Sequence, residues 1–289
     1  MEELSSGAVK FDRYPGEMLV KAADLYEACR DNVVQAGDFA PAFEAGHITL
    51  GTIKELPFVF KDLDTTHLMW LKFMEAGYND YFNSYGIHIV SDMAIDSFVF
   101  WSSKKWGPIR RLEDLKGCKV RVPGGDISQG IKAMGGIAIS IPSPEIYTAM
   151  ERGTVDCVSS YESALIAFRI QEVAKFVTRA NWISPGLPVM VNLKTWKSLP
   201  KEIQDIMLRA GEDAYLNLNK EVQKFQKEVA DPTIQKAGLE IVPLPEKERE
   251  RMRKACAPVW DDWLARNGSV FGGLGKKMFD IVVQTVGRP

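Results

Sequence analysis

DLKGCKVRVPGGDISQGIKAMGGIAISIPSPEIYTAMERGTVDCVSSYE, residues 114–162, decides the fold. It reads strand, glycine turn, helix, strand, capped helix, strand. In an extended run Val120 and Val122 point to one face and Arg121 to the other. Pro123-Gly124-Gly125 then breaks the strand, and the next helix starts near Asp126 or Ser128. Ser143-Pro144-Glu145 is a helix start, with a capping hydroxyl, a proline where no donor is needed and a carboxylate at the positive end. Gly153 stops that helix, and Val155 to Val158 returns as a short buried strand. Open α/β sheets bind ligands beyond the carboxyl ends of their strands. A guanidinium held there suits a planar carboxylate that accepts two parallel hydrogen bonds.

Asp114-Leu115-Lys116-Gly117, Arg121, Glu145, Tyr147, Gly153, Val155 and Asp156 stand in an order and spacing that resembles the solute-binding proteins of TRAP (tripartite ATP-independent periplasmic) transporters. The resemblance continues upstream through Tyr14-Pro15-Gly16 and Leu56-Pro57-Phe58, and downstream through Asn192 and Trp196 to Pro200, so it covers nearly the whole chain. It implies an α/β, two-lobed fold of the type II periplasmic-binding-protein kind, with an inter-lobe cleft and a long bracing helix. It also implies that Arg121 clamps a substrate carboxylate, that the partner is the membrane permease of a TRAP transporter, and that the protein works in the periplasm.

Composition agrees with such a chain. Its 289 residues are long for one core and comfortable for two lobes. A net charge of −2, without a lysine–arginine run, leaves no electrostatic footprint for nucleic acid. The longest apolar runs, such as 136–142, fall far short of the ~20 residues needed to cross a bilayer. Met1 to Gly7 is acidic and carries no secretory signal. Cys29, Cys118, Cys157 and Cys256 are scattered singly and read as small buried hydrophobes, although a disulfide stays open in an oxidising compartment.

Outward from the deciding stretch, strands and helices alternate, which argues mainly parallel sheets. Strands are expected at 9–12, 87–91, 98–101 and 188–192, helices at 19–31, 65–82 and 245–266, and a loop-rich segment at 37–51. Ile203, Met207, Ala210, Ala214, Leu218, Val222, Phe225 and Val229 recur every three or four positions. They predict one helix of about thirty residues, ~45 Å long, ending before Asp231-Pro232. Such a helix braces two lobes or serves as a dimerisation arm. Lobe I is expected to hold residues 1–96 and 188–230, with 188–192 as a hinge strand; lobe II holds 97–187 and 231–289.

Catalytic signatures are missing. His47, His67 and His88 share no metal-ligand spacing, and no cofactor or metal is expected. Residues 272–277, GGLGKK, lack the first glycine and the Ser/Thr of a phosphate loop. Glu145 is accounted for as a helix-start carboxylate and Asp156 as a structural residue, so no acid–base pair is assigned and the chain is not expected to be an enzyme.

Around Arg121 the cleft is expected to gather Phe39, Phe98, Tyr161 and Trp182, an apolar and aromatic wall. Gly124 follows the clamp. Asn192, after the hinge strand, either donates to the same carboxylate or caps a turn. In the sialic-acid branch of the family a second arginine lies on the strand corresponding to 96–100; here that strand has none. Where an asparagine often follows the "V-D" strand, Ser160 stands. Both departures favour a monocarboxylate with an apolar or aromatic body, bound by a monomer. An α/β enzyme or a sensor domain for a small carboxylic acid is the rival reading. Family members begin with a signal peptide, a first strand and a first helix; Met1 to Ser6 resembles the final turn of that helix, so the native product is expected to be longer and exported.

Overall fold

The computed structural model describes residues 1–93 and 96–289, apart from the Asn219 side chain. Its strands are β1 (Ala36–Asp38), β2 (Ile87–Met93), β3 (Phe98–Ser102), β4 (Lys119–Val122), β5 (Ile137–Ser140), β6 (Cys157–Tyr161), β7 (Phe176–Thr178), β8 (Leu187–Asn192) and β9 (Glu240–Val242). They form a three-stranded sheet in the order β1-β8-β2 and a six-stranded sheet in the order β5-β4-β6-β3-β7-β9. The small sheet is antiparallel throughout. In the large one β5, β4 and β6 run parallel, as does the β7–β9 pair, while β3 lies antiparallel between β6 and β7. One sheet is therefore antiparallel and the other mixed, where mainly parallel sheets were expected.

Each sheet has its own core. The small sheet shares a cluster with the helices Leu63–Glu75 and Tyr78–Ser84, where Phe39, Phe73, Phe82, Ile89 and Met190 meet. The large sheet buries both faces. Along β3, Phe98 and Phe100 enter one cluster and Val99 and Trp101 the other, the period of two that extended backbone imposes. Val120 and Val122 join the Phe98 face, as their spacing predicts.

Two segments cross between the sheets: the one from β2 to β3, which includes the undescribed residues 94–95, and the one from β7 to β8. The second is held by main-chain bonds from Phe58 N–H to Trp182 O (2.6 Å) and from Phe98 N–H to Ile183 O (2.6 Å). A buried Lys54–Asp92 ion pair lies against Gly186, whose φ of +69° and lack of a Cβ give it room. The third link is helical. An α-helix at Lys201–Phe225 continues through a π-helical turn at Gln226–Ala230 into another α-helix at Asp231–Lys236. The chain was expected to leave the helix before Asp231-Pro232. The π turn, whose altered hydrogen-bond register accommodates the following proline, carries it past that point.

Other elements differ from expectation for local reasons. No strand forms at 9–12; 19–31 is helical only at Ala22–Asp24 and Leu25–Arg30. The 65–82 helix divides at Gly77, φ +101°. The 245–266 helix divides at Cys256, and a further helix, Val270–Val286, follows. Val259, Trp260, Trp263, Met278 and Phe279 lie in the cluster of the small sheet, so the chain after Cys256 packs with lobe I, where 231–289 was assigned to lobe II. Those helices present apolar stripes that fit either lobe, and only packing chooses.

Candidate functional site

Arg121 is the penultimate residue of β4, and its side chain is only 1 % exposed. Nε–H donates to Ile141 O (2.8 Å) and Nη2–H to Ser143 Oγ (3.2 Å). Both acceptors are neutral and lie between β5 and the helix start at Ser143. Among the described residues no carboxylate pairs with this guanidinium, whereas Arg111, Lys119 and Arg179, all nearer the surface, each have one. Burial alone pushes its pKa down, to about 10, so the group is still charged at neutral pH. A buried charge without a counter-ion costs several kcal/mol. The remaining donors of its fork suit an anion brought from outside.

The turn after β4 prepares the same place. Gly124 has φ +141° and ψ −154°, a conformation open to glycine alone. Gly125, φ +55°, begins the helix Gly125–Ala133. A Cβ at Gly125 would stand 3.4 Å from Glu55 Oε2. Glu55 ends the 3₁₀ segment Thr49–Glu55 of the other lobe and is 1 % exposed. Among the described residues its Oε2 has no hydrogen-bond partner. Burial first, then the neighbouring Asp126, drives its pKa well above the usual carboxylate range. Asp126 itself is compensated by Arg266 (2.6 Å) and Thr52 (3.1 Å).

Phe98 and Tyr161 are register partners on β3 and β6, with rings edge to face at 4.7 Å. The Tyr161 phenol is raised by burial and further by Asp96, Glu55, Asp92 and Asp38. Three of those carboxyls come from the small-sheet side, which places Tyr161 at the seam of the lobes. Ser160 is buried beside it, opposite Val99. Asp96 accepts from Ser163 N–H (3.4 Å), its Oδ1 has no partner among the described residues, and burial raises it to about 7.

The other expected wall residues lie elsewhere. Trp182 is fully buried in the large-sheet core, stacked on Phe100 at 5.7 Å, with Nε1–H donating to Ser159 Oγ (2.9 Å). Phe39 is enclosed by Tyr26 and Phe82 in the small-sheet core. Asn192 is a cap: Nδ2 donates to Cys29 O and Arg30 O, both 2.9 Å, and Oδ1 accepts Thr195 N–H. Its hydrogen-bonding capacity is used within lobe I, so it has no donor left for a carboxylate. The four cysteines are buried and free. Sequence reasoning missed Glu55, because a lone glutamate between Lys54 and Leu56 carries no periodic signal.

The sequence profile of bacterial extracellular solute-binding proteins, family 7, matches residues 1–267. A solute-binding protein of Albidiferax ferrireducens is 26% identical over 279 residues, covering 92% of this chain and 79% of its own. Among solved structures, a TRAP periplasmic solute-binding protein from Desulfovibrio salexigens with bound orotic acid has a TM-score of 0.88 at 26% identity, covering 99% of this chain and 91% of its own. One from Rhodoferax ferrireducens with bound malonate has a TM-score of 0.85 at 24% identity, covering 98% and 88%.

Proposed function

We propose that this chain, which belongs to the bacterial extracellular solute-binding proteins of family 7, captures a monocarboxylate with an apolar or aromatic body between its lobes and binds it through Arg121. Members of the family are periplasmic receptors that bind small organic acids for TRAP membrane components, and they are not enzymes. The observation that carries the finer reading is the buried, unpaired guanidinium at the end of β4. A carboxylate there gains two charge-assisted hydrogen bonds and supplies the missing counter-charge. Phe98 and Tyr161 offer an edge-to-face aromatic pair at the seam of the lobes. The orotate-bound relative carries a ring-bearing acid, the class favoured here, whereas malonate is a dicarboxylate.

Two lobes joined by crossing strands and one helix can open and close about them, and ligand favours the closed form by its extra contacts there. The protein is proposed to act outside the cytoplasm as a monomer, with Gly124, Ser160 and Tyr161 lining the closed cleft. A thermal-shift screen against several hundred carboxylates tests the reading. Ring-bearing or branched monocarboxylates are expected to give the largest increases in melting temperature. Dicarboxylates or sialic acid as the tightest binders contradict the apolar-cleft assignment.

A further inference from the structure

We propose that Glu55 is the second polar anchor of the cleft, its Oε2 hydroxyl donating to a hydroxyl or carbonyl oxygen on the end of the ligand remote from the carboxylate. The proposal rests on the Arg121 reading and deepens it from "a carboxylate" to "an oxygenated carboxylate".

Glu55 belongs to a stretch that straddles the lobes. Ile53 and Leu56 are buried in the small-sheet core, while Phe58 is buried in the core of the large sheet. The carboxyl between them lies at the seam, and Oε2 approaches the start of the helix that follows the Arg121 strand by only a two-glycine turn. Both anchors therefore address the ends of one short segment, Arg121 from within lobe II and Glu55 from lobe I. The carboxyl is 1 % exposed, and Oε2 finds no partner among the described residues. Buried polar atoms without partners are rare and costly in folded proteins. Asp126 is paired with Arg266 and one oxygen of Asp92 with Lys54, whereas Glu55 forms no ion pair among the described residues.

The protonation state follows from the charges present. Arg121 and a bound carboxylate neutralise each other. An ionised Glu55 would add a buried negative charge beside Asp126; the Ala42 backbone and the charge of Lys54, itself paired with Asp92, offset this less than burial and Asp126 oppose it. Kept neutral, it offers a proton at Oε2, so the group it meets is an acceptor oxygen. Closure of the lobes brings the two anchors onto one ligand, and an acid without the remote oxygen leaves Oε2 unpaired.

Titration calorimetry tests this with acids in matched pairs: cyclohexanecarboxylate and its oxo derivatives, benzoate and its hydroxy isomers, cyclopentanecarboxylate and pyroglutamate. In the wild type at least one oxygenated acid is expected to bind about tenfold or more tighter than its parent, the contribution of one buried hydrogen bond. Glu55→Leu should reduce that ratio below about threefold. Glu55→Met, similar in length and without the donor, gives the same result if the leucine variant folds poorly. Glu55→Gln, whose amide N–H can donate, should retain the preference. A preference that survives in both Glu55→Leu and Glu55→Met, or its absence from the wild type when the parent acids bind, overturns the Glu55 assignment alone. Binding by none of the acids overturns the carboxylate reading with it.

Discussion

Arg121 and Asp96 show how much a single buried group can reveal. An arginine in a fully structural role is matched by carboxylates, as Arg179 is by Glu162 and Asp231 at 3.0 and 2.5 Å. Arg121 has a carbonyl and a hydroxyl instead. The seam also holds carboxyls whose burial favours the proton, and this makes stability depend on pH. Asp96 is raised to about 7 in the folded chain, against about 3.9 when unfolded. Below both values the proton is bound in either state, and nothing is lost. Between them the unfolded chain releases a proton that the fold retains, so stability falls as pH rises, and the full penalty is present above about pH 7. Asp96→Asn is therefore expected to raise the melting temperature relative to wild type at pH 8 and to have little effect at pH 4. An equal difference at the two pH values contradicts the assignment.

At the scale of elements, the outcome at each segment turns on whether local chemistry or distant packing decides it. The 114–162 stretch was legible because its signals are local: alternation around Arg121, the glycine turn, the proline-marked start at Ser143. The helix break at Gly77 is local too, but a glycine inside an apolar pattern does not declare whether it kinks or merely weakens the helix. The antiparallel placement of β3 between β6 and β7, the side on which Trp182 lies and the lobe chosen by the last helices depend on tertiary partners, and no periodicity encodes them. Glu55 belongs with these, since its burial comes from the seam and not from its neighbours in sequence. Gly130 illustrates the competition. Within a helix, Gly→Ala ordinarily stabilises by up to ~1 kcal/mol. Here a Cβ would stand 2.8 Å from both the Pro57 ring and Trp182 Cζ3, where the helix is pressed against the crossing segments. Overpacking costs about 1–3 kcal/mol, so Gly130→Ala is expected to destabilise in urea unfolding. A stabilised variant would show that this contact is looser than described.

Seen whole, the molecule is two sheets with separate cores, linked by the segments from β2 to β3 and from β7 to β8, by one interrupted helix and by the turn at Cys256, with an unpaired buried cation at the end of β4. That arrangement fits the family of extracellular solute-binding proteins to which the chain belongs. The two-lobed class was read from the chain's length and its family resemblance, and the arginine clamp is proposed on that same resemblance; the burial of Glu55 between the two cores needed the packing. The central claim is that Arg121 supplies the affinity. Titration calorimetry of wild type, Arg121→Ala and Arg121→Lys with the tightest acid from the screen tests it most directly. Loss of two charge-assisted hydrogen bonds, each worth ~1.5–3 kcal/mol, predicts at least about 100-fold weaker binding by the alanine variant. The lysine variant should fail to restore affinity, since an ammonium cannot reproduce the planar fork. Less than about a tenfold loss in Arg121→Ala, with the protein folded, would contradict the account.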